Sequence, residues 1–351
     1  MAFFSIENIQ LNGISAAVPK NLVSNYTLPG FEKEELEKLI KTIGIEHRRV
    51  ATEDICASDL CIAAAEKLLN ELKWDKSEIE VLFFVSQTPD YNLPGSSMHI
   101  QERLGLPKSC ITFDINQGCA GYVYGLSLIS AFLSSAKISK GLLLVGDTIT
   151  RLISPKDNSL IPIFSDCGTA TAVSYNTSAK KISFNISTEG KDYDAIIVPE
   201  GGARKPMDKV SYEDENFGNN VTRKGFHLNM KGLDVFNFSL KKVVPNVEEL
   251  LNRANQNSEN IDFFIFHQAN MLILDSIEKK LNIDSSKVPS SLKDFGNTSG
   301  ATIPLTILTN LVKEGKVINS KMVLSGFGVG LSLASAIVDF NDVITTELIE
   351  L

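Results

Sequence analysis

The feature that most constrains this chain is that it repeats itself. Residues 80–90, EVLFFVSQTPD, have the shape of residues 262–270, DFFIFHQAN. Residues 114–133, DINQGCAGYVYGLSLISAFL, have the shape of residues 295–312, FGNTSGATIPLTILTNLV. Each is followed by a short connector and an apolar run, KGLLLVGD at 140–147 and KMVLSGFG at 321–328. A recurring order of strand, turn, helix and strand points to an internal duplication. Two such halves packed together bring their equivalent loops to one shared cleft. The 351 residues suit this reading, since roughly 150 residues per half is an ordinary domain size. The expected division is residues 1–176 and residues 177–351, the first half carrying a candidate cysteine nucleophile and the second a histidine and an asparagine.

Short apolar runs alternate with helical patterns, which makes the class α/β. Strands are expected over 9–18, 80–86, 111–115, 140–146 and 263–266, with the last strands in 322–340. Helices are expected over 32–41, 57–72, 94–104, 120–135, 233–253, 271–281 and 302–313. Gly105 reads as a helix stop and Pro245 as a kink in its helix. The stretch 192–231 is polar and rich in Gly and Asn, and reads as an excursion over the surface.

Several function classes fall away on composition. A formal net charge of −8 argues against a nucleic-acid partner, which needs a basic surface. It leaves room for a small basic patch facing an acidic carrier protein or a phosphorylated cofactor. The five cysteines are odd in number and show no CxxC pair, so reduced thiols are expected rather than a disulfide framework. Four histidines without metal-ligand spacing make a metal site unexpected. The N-terminus lacks the charged start and apolar core of a signal peptide. No run approaches the roughly 20 apolar residues of a membrane span, so a cytoplasmic protein is expected.

Three positions carry the candidate chemistry. Cys119 lies in Gly118-Cys119-Ala120-Gly121, where a strand ends and a helix begins. By itself a cysteine in an apolar segment is a small core residue. The positive end of a helix and its free N–H groups, however, favour the thiolate, which is the nucleophile. His267 ends an apolar strand, placed to face a cleft, and imidazole exchanges protons near neutral pH. Asn297, between Gly296 and Gly300, is equally at home in a turn or a helix cap. The run Gly326-Phe327-Gly328-Val329-Gly330 lacks a P-loop lysine, and reads instead as exposed backbone N–H beside a reacting carbonyl.

Taken together, DINQGCAG around Cys119, HQAN from His267, GNTSGATIPL around Asn297 and the GFG turn at Gly326 resemble the ketoacyl-ACP synthase III family of the thiolase superfamily. Order and spacing agree across nearly the whole chain. The resemblance implies a thiolase-like duplicated fold with five αβαβα layers, usually dimeric. It implies a decarboxylating Claisen condensation of an acyl thioester primer with malonyl on acyl carrier protein, in fatty acid biosynthesis, without metal or cofactor. Cys119 would hold the acyl group, and His267 and Asn297 would stabilise the enolate formed on loss of CO2. The N–H groups of Cys119 and Val329 would line a second oxyanion hole. Phe327 would gate the substrates, Asn270 would touch the pantetheine arm, and Leu93 would enter a partner's acyl pocket. Lys279 and Lys280 match a basic pair for carrier docking. The Trp and two Arg that grip coenzyme A in the straight-chain primer enzymes are replaced by Lys38, Thr42 and Asn158, and a docking Arg by Leu272. A carrier-borne or unusual acyl-CoA primer is therefore expected. The alternative is an acyltransferase or specialised polyketide or lipid ketosynthase of the same fold.

Overall fold

The continuous apolar runs become the buried interiors of two sheets. The computed structural model describes residues 1–351. Val81–Val85 is buried at every position, as a parallel strand covered on both faces must be. It runs parallel to Lys140–Asp147 on one side and Ile111–Ile115 on the other. Lys140–Asp147 then pairs antiparallel with Cys167–Tyr175, which pairs antiparallel with Ile9–Val18. The second half repeats the scheme: Phe263–Phe266 runs parallel to Ser320–Gly328, followed antiparallel by Ser332–Phe340 and Ile182–Thr188. Each end of the chain joins the other half's sheet. Ala2–Ile6 extends the five-stranded sheet beside Ile182–Thr188. Ile344–Thr345 and Ile349–Glu350 add to the nine-stranded sheet beside Ile9–Val18.

The helices fall into three layers. Gly121–Ala136 and Thr302–Asn310 contact strands of both sheets and lie between them. They are apolar nearly all round, as a helix buried on all sides must be. Val123, Leu126 and Ile129 of one join Ile303 and Ile307 of the other in a single central core. Ala57–Leu72 and Ser96–Leu104 cover the outer face of the nine-stranded sheet. Val244–Arg253 and Met271–Leu281 cover that of the five-stranded sheet. The result is the αβαβα arrangement that the sequence resemblance implies.

Most expected elements lie within two residues of their expected ends, and two expectations change. The helix expected over 233–253 divides into Gly232–Phe238 and Val244–Arg253, joined by a π-helical turn at Ser239–Val243. Pro245 follows just after that turn, and since it has no N–H to donate to the preceding helical turn, the irregularity falls where the sequence places a kink. The helix expected to reach residue 313 ends at Asn310, and Val312–Lys313 turns back as a short strand. The strand Cys167–Tyr175 lacks the bulky apolar pattern and was not expected. Its small residues are required by the helix above: a Cβ at Gly168 would stand 2.5 Å from the Cys61 nitrogen and 2.6 Å from the Leu60 Cβ.

Candidate active site

The turn Asn116–Ala120 connects the strand Ile111–Ile115 to the helix Gly121–Ala136 and carries Cys119 at its inner end. The Gly121 N–H donates to the Gly118 carbonyl at 2.7 Å, closing the turn. From the other half, the strand Ser320–Gly328 passes directly over it. A Cβ on Gly326 would meet the Ala120 Cα at 2.8 Å and the Cys119 carbonyl oxygen at 2.9 Å. A Cβ on Gly328 would meet the Cys119 Cβ at 2.7 Å and Sγ at 2.8 Å. Only glycine lets the two halves close this tightly over the thiol.

His267 follows the strand Phe263–Phe266, its N–H donating to the Ser325 carbonyl at 2.8 Å. Its Nδ1 lies 2.8 Å from Thr302 Oγ1, which is also 3.1 Å from the Ser299 carbonyl. Its ring meets Phe327 edge-on at 5.5 Å. Asn297 is held by its backbone as a bridge to the first half: its N–H donates to the Ile163 carbonyl at 2.9 Å and its carbonyl accepts from the Ser165 N–H at 3.0 Å. Its Oδ1 accepts from the Ser299 N–H at 2.9 Å. That bond fixes the amide orientation and leaves the NH2 group as a donor.

Cys119, His267 and Asn297, 7%, 2% and 5% exposed, line one cavity of about 500 Å³. Asn270, Leu272 and Phe327 line it as well, and most of its wall is apolar. A second, largely apolar cavity of about 290 Å³ also opens on Cys119, between Ile149, Leu152, Val198, Leu228, Ser299 and Val329. The thiol thus stands where two chambers meet. Asn270 caps the helix Met271–Leu281 with Oδ1 accepting from the Ile273 N–H at 3.0 Å, so its NH2 group remains available.

The electrostatics differ from the expectation that the helix end would favour a thiolate. The helix proper starts two residues beyond Cys119. Burial pushes the Cys119 thiol up to about 12; hydrogen bonds from the Val329 N–H, its own N–H and the Ser299 side chain oppose that rise only in part, and the charge of Asp147 adds to it. Burial pushes His267 the other way, down to about 3, so its ring is neutral in the resting site. A ready-made thiolate–imidazolium pair is therefore disfavoured. A neutral pair of amide and imidazole is what remains, matched to charge that develops during reaction.

The other expected positions spread around the site. Val329 reaches Cys119 through its backbone N–H. Lys279 and Lys280 are exposed on the last turn of the helix Met271–Leu281, with Lys280 Nζ donating to the Leu240 carbonyl at 3.1 Å. Leu272 is 47% exposed at the first cavity. Lys38 and Thr42 are exposed on the helix Lys33–Ile43, where the Thr42 hydroxyl donates to the Lys38 carbonyl at 2.8 Å. Asn158 lines a separate groove with Gly30, Phe31 and Glu35. Leu93 lines neither chamber and is 87% exposed. Sequence reasoning missed Ser299, Thr302 and Asp147, which together surround the thiol and the imidazole. The visible signals were Ser299 and Thr302 inside the Asn297 motif and a lone acid ending the strand KGLLLVGD.

Comparison with known proteins agrees with this geometry. The family described as 3-oxoacyl-[acyl-carrier-protein] synthase III matches residues 113–190, and its C-terminal counterpart matches residues 251–340. A Campylobacter jejuni protein provisionally named a 3-oxoacyl-[acyl-carrier-protein] synthase 3 is 31% identical over 348 residues, 98% of this chain and 97% of its own. The crystal structure of a Burkholderia xenovorans 3-oxoacyl-(acyl-carrier protein) synthase superposes with a TM-score of 0.92 at 35% identity, covering 100% of this chain and 99% of that one. The priming β-ketosynthase of the R1128 polyketide pathway, at 24% identity and a TM-score of 0.81 over 96% of this chain and 97% of its own, shares the fold. This chain belongs to the 3-oxoacyl-[acyl-carrier-protein] synthase III family of acyl-transferring condensing enzymes.

Proposed function

We propose that this protein condenses an acyl primer, held as a thioester on Cys119, with malonyl on acyl carrier protein in fatty acid biosynthesis, releasing CO2. The observation that carries this reading is the convergence of Cys119, His267 and Asn297 on one apolar cavity beside a second chamber. Cys119 attacks the primer thioester and the pantetheine thiol leaves. Malonyl-carrier then enters, and its decarboxylation builds negative charge on the thioester oxygen. The Asn297 NH2 group, oriented by the Ser299 N–H, donates to that oxygen. In the resting site the Thr302 hydroxyl donates to the Ser299 carbonyl; an oxyanion selects the tautomer in which that hydroxyl turns to Nδ1 and His267 donates from Nε2. The enolate carbon attacks the acyl-Cys119 carbonyl, whose oxygen faces the Cys119 and Val329 N–H groups, and Cys119 departs as thiolate. Asn270 contacts the pantetheine arm, and Phe327, edge-on to His267, separates the two substrates.

The smaller chamber suits the acyl chain. At about 30 Å³ for each water-sized group, 290 Å³ accommodates roughly ten such groups, which favours a medium-length primer over acetyl. A carrier-borne primer accords with Lys38, Thr42 and Asn158, which offer neither a stacking ring nor a guanidinium fork to coenzyme A. Lys279 and Lys280 supply the positive charge for docking an acidic carrier. A homodimer is favoured by the strand Ile111–Ile115, which is paired on one edge only. Ile111, Phe113, Met98 and Leu93 are large apolar side chains exposed on that side of the molecule. A cytoplasmic setting accords with five free cysteines, four of them buried. No helix is long and apolar enough to cross a membrane.

Intact-mass spectrometry after exposure to a panel of acyl-CoAs and acyl-carriers, followed by malonyl-carrier, tests the reading. The expected result is a medium-chain acyl adduct on Cys119, delivered faster from the carrier, and CO2 release on adding malonyl-carrier. An ester or amide product without CO2 would replace condensation by simple acyl transfer. Rapid acylation by micromolar acetyl-CoA would refute the primer assignment.

A further inference from the structure

His267 and Asn297 donate to a single enolate oxygen, yet they come from segments far apart in the chain. Two donors serve one atom only if their spacing is fixed before the charge appears. The backbone bonds of Asn297 tie it to Ile163 and Ser165 in the first half, and do not reach the turn that carries His267. The side chain of Gln268 spans that gap. It follows His267 directly, and both ends of its carboxamide are engaged. Nε2 donates to the Phe266 carbonyl at 2.8 Å, which holds the side chain against its own turn. Oε1 accepts from the Ser290 hydroxyl at 2.8 Å and from the Ser291 N–H at 3.1 Å. Ser291 begins the path to Asn297. Its carbonyl accepts from the Phe295 N–H at 3.1 Å, and the Gly296 N–H then donates to the Leu292 carbonyl at 2.9 Å. That single helical turn delivers the chain to Asn297.

The Ser291 side chain closes the circuit. Its hydroxyl lies 2.8 Å from Thr306 Oγ1. The Thr306 proton goes to the Thr302 carbonyl at 2.8 Å, so Ser291 is the donor between them. Thr302 Oγ1 in turn lies 2.8 Å from His267 Nδ1. The path runs from His267 through Thr302, Thr306, Ser291 and Gln268 and returns to His267. Those four residues are at most 6% exposed, so water does not compete for their bonds. A buried polar network with its partners in place is rigid.

We infer that Gln268 is a positioning residue for the decarboxylation step: its carboxamide bridges the His267 turn to Ser290 and Ser291, and so holds the His267 and Asn297 donors at the separation that one enolate oxygen requires. Gln268 lines neither chamber and acts through its neighbours. The inference rests on the reading of His267 and Asn297 as the donors to the malonyl-derived enolate. Acylation does not use that pair, because the primer oxygen faces the Cys119 and Val329 N–H groups. Loss of the bridge is therefore felt in the second half-reaction and not in the first.

The alternative is that Gln268 only satisfies the backbone groups of a buried turn. Timing the two half-reactions separately distinguishes the two roles. Octanoyl on acyl carrier protein acylates Cys119, followed by intact mass, and malonyl on acyl carrier protein is then added and the released CO2 measured. Gln268→Met keeps a side chain of similar length and removes its hydrogen bonds. It should acylate at close to the unmodified rate, while kcat for CO2 release falls about 100-fold, the cost of a misplacement of about 1 Å, with KM for malonyl-carrier little changed. Ser291→Ala keeps the N–H to Oε1 and loses only the link to Thr306. It should show the same split to a smaller degree, and it carries the test if Gln268→Met does not fold. In an Asn297→Ala background Gln268→Met should cost far less, because only one of the two donors remains to be spaced. Equal losses in both half-reactions, unchanged CO2 release in a folded variant, or full additivity with Asn297→Ala would overturn the inference. Absence of an octanoyl adduct or of CO2 release in the unmodified protein would instead overturn the reading on which it rests.

Discussion

Gly328→Ala places a methyl group where the two halves touch, and its effect is calculable from the close approach. The added Cβ would sit 2.7 Å from the Cys119 Cβ and 2.8 Å from Sγ. Carbon atoms prefer roughly 3.5–4.0 Å, so something must move by about 1 Å. The strand is held at Gly328 by its pairing with Ser332, and three residues earlier Ser325 is also paired with Phe266. The backbone at Gly328 has φ 156°, a value side chains rarely adopt, which adds strain. Overpacking of this kind costs about 1–3 kcal/mol. With an unfolding entropy of about 2.1 cal/mol/K per residue, a chain of 351 residues loses roughly 1–4 °C in Tm. The functional effect is larger: a displacement of about 1 Å at the nucleophile costs on the order of 100-fold in rate. Differential scanning calorimetry and the mass-resolved rate of Cys119 acylation measure the two. Gly190→Ala is the control, since a Cβ there meets nothing within 4 Å. Acylation at the rate of the unmodified protein, with no change in Tm, would refute the claim that glycine at 328 is required by the approach of the halves.

Three further outcomes follow from the same geometry. Thr302→Val removes the hydroxyl from Nδ1 of His267; the ring then donates from Nδ1 to the Ser299 carbonyl and loses its Nε2 proton. Malonyl-carrier decarboxylation should fall about 100-fold or more while Cys119 still acylates; unchanged CO2 release would exclude the donor role. Folded His267 protonates only near 3, whereas an unfolded histidine does so near 6.5, so below about pH 6.5 acid favours the unfolded chain. The stability that a neutral His267 contributes is fully present above that pH, is lost as pH falls toward 3, and amounts to at most about 5 kcal/mol. Asp166, raised to about 6, runs the opposite way and offsets part of the loss. His267→Gln should therefore flatten the decline of Tm between pH 6 and 4, and an unaltered slope would contradict the burial argument. Finally, Phe113→Asp charges the unpaired strand edge proposed as the dimer contact; light scattering should find the dimer lost, and a dimer that persists would place its contact elsewhere.

Local pattern reveals those parts of the site whose cause is local. The Gly118-Cys119-Ala120-Gly121 turn, the histidine ending Phe263–Phe266 and the Asn297 turn all mark themselves by strand, glycine and helix signals within a few residues. Ser299 and Thr302 lie in the same motif as Asn297 yet read only as capping or turn residues, because Thr302 bonds to His267 and Ser299 shares a cavity wall with Cys119, both distant in the chain. Asp147 lies one residue beyond the strand expected over 140–146, and no neighbouring signal singles it out. The strand Cys167–Tyr175 was invisible for a related reason: its small residues answer to the helix Ala57–Leu72 above it, and nothing in its own periodicity records that neighbour.

The sequence by itself determined the duplication, the α/β class and the three motifs that meet, because apolar periodicity and turn chemistry are properties of neighbouring residues. The tertiary structure decided how those motifs behave. Closing one half over the other dehydrates Cys119 and His267 and moves their proton affinities in opposite directions. It also hollows two chambers around one thiol and buries the Asp147 carboxylate against the Ser86 and Thr88 hydroxyls. Dehydration, cavity shape and contacts between distant residues exist only once the chain is packed, which is why no reading of neighbouring residues supplies them.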